Sequence, residues 1–333
     1  MRSAFALATS AFALAASAAA TAPTREIVFV GPYNGVQTNV LAIHPDGRGL
    51  RLVAANASNP RWSPDGSEIV FTTFAREANG GFTPKGLAIV AAQGGTPRQI
   101  TTGEDGTFGW APNGHWIGFI RFEDGKSSLN IVHPDGTGEH EIVRARSAMW
   151  APDSTRLLIE LRQGLEIVDL AGRVHALPHA ACAGGASWSP NGRWIAFSKC
   201  FDKPWNNGIV IEHPDGTGFR WLARTGSDNN PAWSHDSTKL AYVHFEQVDY
   251  LEHTEIRMIT IDGKKLGNLD SYAQDHDEYP AWSPDGKQIA FDRDAALEPI
   301  GEADRLYVGD AKTGRVRKLY DNIWRGNQFW RPR

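Results

Sequence analysis

Acidic side chains are concentrated in the segments that come just before a repeated tryptophan. These segments contribute the candidate partner-binding residues Glu104, Asp105, Asp228, Asp275, His276, Asp277 and Glu278. Carboxylates gathered at one place create a negative potential that attracts cations and basic peptides. The sequence therefore predicts a surface that binds a cationic peptide or a protein of the cell envelope.

Histidines in the same part of the sequence suggest a second kind of chemistry, metal binding. His244, His253 and His276 lie near Asp275 and Asp277, and a mixture of imidazole and carboxylate is acceptable to zinc or manganese. However, the chain contains no spacing signature such as H-E-x-x-H. We therefore expect no cofactor and no assigned metal site, and we keep the three histidines only as weak candidate ligands.

A repeated motif indicates how these residues are positioned. The pentapeptide Trp-Ser-Pro-Asp-Gly or a close variant recurs at spacings of 48, 40, 38, 45 and 49 residues, and a shortened copy ends the chain. The copies begin at Trp62, Trp110, Trp150, Trp188, Trp233, Trp282 and Trp330. A period of this length is typical of stacked units such as the blades of a propeller.

Each copy of the motif is followed by short apolar runs separated by tight turns, which predicts four antiparallel strands per unit. The segment before Trp62 offers only three strands, at 25–30, 39–47 and 49–55. The missing strand is predicted at 327–332, where the last tryptophan lies. We therefore expect an all-β propeller of seven four-stranded blades, with six as the competing count, closed by pairing of the two chain ends.

These motifs resemble the TolB-like β-propeller repeat family, in which W-S-P-D-G followed by an I-A-F-type strand is the hallmark. The resemblance covers residues 25–333 and implies a single propeller domain. The chain differs from TolB itself because the N-terminal α/β domain is absent, and this puts a Tol–Pal role in doubt.

Strand order assigns the loops to two faces of the propeller. The Trp-Ser-Pro-Asp-Gly turns and the His-Pro-Asp-Gly turns share one side, which we call the turn face. The loops before each tryptophan strand are longer and more varied and share the other side, the loop face. Because the tryptophan strand is the innermost one, the candidate acidic residues are expected to ring the central channel at the loop face.

The two cysteines provide a test of this geometry. A hairpin centred on Asn191 pairs residues whose numbers add up to 382, and Cys182 and Cys200 meet that condition. We therefore predict a disulfide between them, with two buried free thiols as the alternative.

The N-terminus has the features of a signal peptide: a positive charge at Arg2, an apolar stretch, and small residues at Ala16, Ala18 and Ala20. We expect a signal peptide at 1–20, a short leader at 21–24 and a periplasmic or secreted monomer. The net charge of −4 argues against a nucleic-acid partner, and no later segment is apolar enough to span a membrane.

Two functions fit these features. The first is an exported, non-enzymatic propeller that binds a peptide or protein partner through the acidic loop face. The alternative is a metal-assisted lyase or hydrolase of polysaccharide or peptide, with its site at the same channel mouth. We favour the first because the chain has no G-x-S-x-G motif, phosphate loop, C-x-x-C pair or dinucleotide fingerprint.

Overall fold

The structure is a computed structural model. It describes residues 25–33, 36–77, 81–161, 164–201, 206–248, 251–271, 275–295, 304–324, 326 and 328–332. The predicted signal peptide and leader lie outside these ranges. All regular secondary structure in the described ranges is β-strand, so they include no helix that could cross a membrane.

Twenty-eight strands follow one another along the described chain. They are β1 (Ile27–Tyr33), β2 (Val36–Ile43), β3 (Arg51–Ala55), β4 (Ala57–Trp62), β5 (Glu68–Arg76), β6 (Phe82–Ala91), β7 (Arg98–Gln99), β8 (Asp105–Trp110), β9 (Ile117–Glu123), β10 (Lys126–Val132), β11 (His140–Val143), β12 (Ser147–Trp150), β13 (Arg156–Leu161), β14 (Gly164–Asp169), β15 (Val174–Ala181), β16 (Ala183–Trp188), β17 (Ile195–Cys200), β18 (Asn207–Glu212), β19 (Arg220–Gly226), β20 (Asp228–Trp233), β21 (Lys239–Val248), β22 (Leu251–Thr260), β23 (Lys265–Asn268), β24 (Asp275–Trp282), β25 (Gln288–Ala295), β26 (Asp304–Asp310), β27 (Val316–Ile323) and β28 (Phe329–Trp330).

These strands form seven antiparallel groups of four, which we number as blades. Blade 1 contains β28, β1, β2 and β3, and blades 2 to 7 contain β4–β7, β8–β11, β12–β15, β16–β19, β20–β23 and β24–β27. Blades 6 and 7 share one sheet through a single parallel bridge between Thr254 and His276. The all-β propeller class is therefore confirmed.

The innermost strands contact one another in a circle. Strand β28 touches β4, and the contacts continue from β4 to β8, β12, β16, β20 and β24, which touches β28 again. In blade 1, Trp330 pairs with Ile27 and Phe329 pairs with Val28. The end of the described chain therefore supplies the inner strand that the N-terminal segment lacks.

In five of the seven blades, the repeated tryptophan donates a hydrogen bond to the blade before it; the indole N–H groups of Trp110 and Trp188 have no partner among the described residues. The indole Nε1 of Trp150 donates to the carbonyl oxygen of Gly109 at 3.1 Å, and Gly109 directly precedes the tryptophan of blade 3. The same relationship recurs at Trp62, Trp233, Trp282 and Trp330, with distances of 2.8–3.2 Å. A large apolar side chain with one donor suits a position that is buried between blades and still faces a carbonyl. This explains why the motif repeats once per blade.

The rest of the motif forms a hydrogen-bonded turn. The Asp65 carboxylate accepts hydrogen bonds from the Ser63 hydroxyl and from the backbone N–H of Ser67, while the Ser63 hydroxyl oxygen accepts one from the N–H of Glu68. Gly66 has a φ of 67°, a left-handed conformation that glycine adopts without a steric penalty. The turn itself therefore explains the serine, aspartate and glycine of this copy of the motif.

The middle strands of the blades form the core. Ile195, Ala196 and Phe197 of β17 and residues 209–211 of the neighbouring strand β18 are all fully buried. Consecutive buried residues arise because each blade is covered on both faces by its neighbours, so the usual alternation of apolar and polar residues disappears. The core is thus a series of apolar layers between blades, and it holds the inner strands in position around the channel.

Candidate functional site

Three of the predicted acidic residues occupy equivalent positions in three blades. Asp105, Asp228 and Asp277 each lie five residues before the tryptophan, near the loop-face end of an inner strand, and each side chain is fully buried. Each is the direct cross-strand neighbour of a basic residue on the second strand of its blade. The basic neighbours are Arg121, His244 and Arg293.

The contacts are close in all three pairs. The Arg293 guanidinium donates to both oxygens of Asp277, at 2.6 and 2.9 Å, and Arg121 binds Asp105 in the same two-point manner at 2.8 Å each. In blade 6, Nδ1 of His244 lies 2.8 Å from Asp228. The hydrogen bonds that Arg121 donates to Asp105 and Glu139 raise its pKa above the ordinary value for arginine. These carboxylates therefore hold the inner strands in place, in contrast to the expectation that they would face a partner in the channel.

The other predicted binding residues are more accessible. Glu104 is exposed, and His276 and Glu278 are half-buried. Asp275 starts strand β24, but its side chain lies outside the described part. The rim of the loop face therefore keeps Glu104, Asp275, His276 and Glu278 as candidates for contact with a partner.

The three candidate metal ligands are each placed differently. His244 is buried against Asp228, Nε2 of His253 lies 3.8 Å from Glu246, and His276 lies on the inner strand of the next blade. Within the described residues, no group of three His, Cys, Asp or Glu side chains is arranged to hold a metal ion.

A cavity of about 420 Å³ occupies the centre of the ring. Its walls come from the inner strands of five blades and are mainly apolar, and the described residues that line it include no acidic side chain. The cavity extends from the level of Tyr279, in the middle of strand β24, to Pro190 in a turn on the turn face. The residues that define it are Met149, Ser187, Asn230, Pro231, Tyr279, Gln328 and Phe329.

An unusual backbone conformation recurs in the inner strands, and three of its four occurrences line this cavity. Four inner strands carry a residue with a φ between 50° and 56° exactly three positions before the tryptophan, and each coincides with a β-bulge. Three of these residues are of types that tolerate left-handed backbone well, but the fourth is a tyrosine, for which the conformation costs free energy. They are Asn59, Gly185, Asn230 and Tyr279. Strained residues held by a rigid frame are typical of functional sites.

A buried amide provides a polar group in the cavity. The Gln328 side chain is only 2% exposed, and its Nε2 donates to the carbonyl oxygen of Tyr279 at 2.7 Å. Its Oε1 is buried and has no hydrogen-bond partner in the described part of the chain. A buried acceptor without a donor is costly, so this oxygen can bind an N–H or O–H group of a ligand.

The guanidinium group of Arg61 packs against the Phe329 ring in the channel wall. The Arg61 guanidinium lies 3.7 Å from the centre of the Phe329 ring and donates to the carbonyl oxygen of Phe108. Burial lowers the pKa of Arg61 to about 9, which still leaves it charged at neutral pH. The stacked guanidinium fixes the orientation of Phe329 beside the cavity.

The predicted disulfide is present at the loop face. Cys182 and Cys200 are bonded, with their Cα atoms 5.9 Å apart. The neighbouring residues Ala183 and Lys199 are direct cross-strand partners, as the pairing rule requires. A disulfide is typical of exported proteins, because the cytosol keeps thiols reduced.

Tyr279 and Gln328 were not identified from the sequence, although one signal was present. Asn59, Asn230 and Tyr279 each precede a proline, and each proline lies two positions before the repeated tryptophan. Aligning the repeats at these positions shows tyrosine where two other copies have asparagine. Gln328 gave no such signal, because its role depends on the pairing of the two chain ends.

Comparison with known proteins supports the fold. No protein-family model matches the chain. Dipeptidyl-peptidase 5 of Porphyromonas gingivalis is 23% identical over 302 residues, which cover 80% of this chain and 41% of that protein. The chain therefore spans about two fifths of the length of this curated relative.

Solved structures with the same architecture include three kinds of protein. TolB from Acinetobacter baumannii has a TM-score of 0.56 at 15% identity, over 93% of this chain and 67% of that one. The propeller domain of the Trilobed protease from Pyrococcus furiosus has a TM-score of 0.59 at 16% identity, over 80% and 83%. Oligogalacturonate lyase in complex with manganese has a TM-score of 0.59 at 16% identity, over 90% and 86%. The chain has the fold of TolB-like β-propellers, a fold shared by proteins of different activities.

Proposed function

We propose that this chain is an exported, non-enzymatic β-propeller that binds a segment of a peptide or protein partner in its central channel. The observation that carries the proposal is the central cavity, which combines apolar walls, a strained tyrosine and a buried acceptor, Gln328 Oε1, without a partner. A pocket of this size with few polar groups is suited to a side chain of a bound segment.

The rim of the loop face defines the second part of the proposal. Glu104, Asp275 and Glu278 lie at the loop-face ends of inner strands, where they favour basic residues that flank the inserted segment. Because Asp105, Asp228 and Asp277 are paired internally, the electrostatic attraction is weaker than all six predicted carboxylates would produce if each faced a partner. The partner therefore needs both an apolar group and a cationic flank.

Site-specific photo-cross-linking in cells tests this proposal. A photoreactive phenylalanine is introduced at Met149, which lines the cavity, or at Glu104 on the loop face. The matched control is Thr155, which lies in blade 4 like Met149 but is exposed on the turn face and does not line the cavity.

We expect a discrete protein adduct from Met149 and Glu104 and none from Thr155. The Gln328→Leu substitution should reduce the adduct at Met149, because it removes the buried acceptor. Equal labelling from Thr155, or an adduct that is insensitive to Gln328→Leu, would contradict binding in the channel.

A further inference from the structure

Arginine side chains cross four of the clefts between blades on the turn face, while blades 3 and 4 have His140 and His175 at the same ladder position. In blade 2, Arg98 on the outermost strand donates to the carbonyl oxygen of Pro134 in the next blade, at 2.9 Å. In blade 5, Arg220 donates in the same way to Ile261 at 2.8 Å. Arg51 and Arg317 make the equivalent contacts to Ala92 and Pro45. Each of these arginines has the same position in the ladder of its blade.

Blade 6 has a glycine at this position. Gly267 is the cross-strand neighbour of Met258, as Arg220 is of Ile211. No described atom lies within 4 Å of the point where a Cβ of Gly267 would be. Without the arginine, a cleft of about 470 Å³ remains open between blades 6 and 7.

The floor and walls of this cleft are apolar. Met258 is buried beneath it and the indole of Trp282 forms one wall. Leu266 also lines it and is 40% exposed. An open apolar surface of this kind gains free energy when a ligand covers it.

Positive charge surrounds the apolar floor. Lys239, Lys287 and Lys312 line the cleft, and Asp310 is the acidic residue among the described lining. The Asp310 carboxylate accepts hydrogen bonds from the backbone N–H groups of Lys312 and Thr313, and these bonds lower its pKa. The Asp310 carboxylate is therefore stabilised by hydrogen bonds within its own loop.

One of the three lysines, Lys239, interacts with neighbouring side chains. Nζ of Lys239 lies 3.6 Å from Asp236 and 6.0 Å from the centre of the Trp282 ring. Lys287 and Lys312 are exposed on the turns above the cleft. Two exposed ammonium groups thus lie at the mouth, above an apolar floor, where they also attract the carboxylates of Asp285 and Asp310.

From this arrangement we propose that the cleft between blades 6 and 7 binds an anionic amphiphile, a ligand with one negatively charged head group and an apolar body. The head group pairs with Lys287 and Lys312, and the apolar body lies on Met258, Leu266 and Trp282. This site is distinct from the proposed partner site in the channel, although Trp282 borders both cavities. A carboxylate and a phosphate monoester share the required chemistry.

Isothermal titration calorimetry with twelve-carbon probes below their micellar concentrations tests the proposal. Dodecanoate and monododecyl phosphate present the two anionic head groups, and dodecyltrimethylammonium presents the same chain with a positive charge. We expect saturable binding of an anionic probe near one per chain and at least about 10-fold weaker binding of the cationic probe. The tighter of the two anions identifies the head group.

Two variants separate the contributions of charge and shape. The double variant Lys287→Glu, Lys312→Glu should weaken anion binding by about 10-fold or more. Ala311→Trp should abolish it by filling the cleft without a change in charge. Lys126→Glu, at an exposed lysine of blade 3, is the matched control and should bind like the wild type.

Equal binding of the anionic and cationic probes would overturn the proposal, as would full anion binding by Ala311→Trp. Either result would indicate general adsorption of alkyl chains. Cross-linking from Met149 in the channel reports on the proposed function separately, so the two proposals can fail independently.

Discussion

The side-chain amide of Gln328 donates to the backbone carbonyl oxygen of Tyr279 at 2.7 Å. Gln328, which directly precedes the closing strand of blade 1, thereby holds Tyr279, the residue of blade 7 with left-handed backbone. Closure of the ring and the geometry of the central cavity therefore depend on each other.

The strain at Tyr279 predicts unequal effects of two substitutions. Tyr279→Asn should change the free energy of unfolding by less than about 1 kcal/mol, because asparagine occupies the equivalent left-handed positions 59 and 230. Tyr279→Val should destabilise by about 1–3 kcal/mol more, because a β-branched residue is strained at a φ of 53°. Urea denaturation measures both values. Equal losses for the two variants would show that the backbone conformation is not strained.

Closure of the ring predicts a large effect at Trp330. Its side chain is 8% exposed and its indole donates to Ala281 at 2.8 Å. Trp330→Ala should lower the free energy of unfolding by about 3–5 kcal/mol, since it removes a buried aromatic side chain. Trp324→Ala is the control, because Trp324 is 52% exposed, and it should change stability by less than about 0.5 kcal/mol. Similar losses in equilibrium denaturation would argue against a closing strand.

The buried ion pairs predict that substitution of their arginines lowers the free energy of unfolding by different amounts. Arg293→Met leaves the Asp277 carboxylate buried and uncompensated, and should cost about 3–5 kcal/mol. Arg121→Met should cost less, because the Arg121 side chain is 21% exposed and that of Arg293 only 4%. The double variant Asp277→Leu, Arg293→Leu should recover much of the loss. A double variant less stable than Arg293→Met in urea denaturation would contradict this interpretation.

Glu212 predicts a pH-dependent contribution to stability. Burial raises its pKa above the usual value of 4.5, although the hydrogen bond from His179 opposes the shift. Because the folded-state pKa is raised, the stability linked to Glu212 is fully present below pH 4.5 and is lost as the pH rises through the folded-state pKa. The side chain of the Glu212→Gln variant carries no charge at any pH in this range. The Tm of the variant minus the Tm of the wild type should therefore increase between pH 4.5 and neutral pH. A constant difference in thermal denaturation across this range would refute the prediction.

The disulfide predicts a sensitivity to reductant. The bond joins positions 18 residues apart, and closing a loop of this size contributes about 3 kcal/mol to stability in the chain-entropy description. The variant Cys182→Ser, Cys200→Ser should lose about that amount and unfold at the same urea concentration with and without dithiothreitol. The wild type should shift toward the variant only when reductant is present. A wild-type curve that reductant leaves unchanged would contradict a stabilising bond.

Cross-strand arithmetic could have predicted more than the disulfide. The hairpin that pairs Cys182 with Cys200 is centred on Asn191, which is the fourth residue of the repeated motif. The same centring on Asp285 pairs Asp277 with Arg293, as the ladder shows. It also holds at blades 3 and 6. The pairing of the three aspartates with basic residues was therefore accessible from residue numbers once the hairpins were assumed.

The register near the turns was less predictable. Between Gly184 and Ser187 the ladder of β16 and β17 shifts by one residue, so that Trp188 pairs with Ile195. A bulge of this kind depends on left-handed backbone at Gly185. Glycine at this position permits the bulge, but a residue such as Tyr279 gives no local preference for it.

By itself, the sequence determined the repeat, the strand-rich fold and the cysteine pair, because each follows from spacing along the chain. Only the tertiary structure decided which carboxylates are buried, where the central cavity lies and which clefts between blades stay open. Those properties depend on contacts between residues far apart in sequence, such as Gln328 with Tyr279 and blade 6 with blade 7, and a local pattern does not encode them.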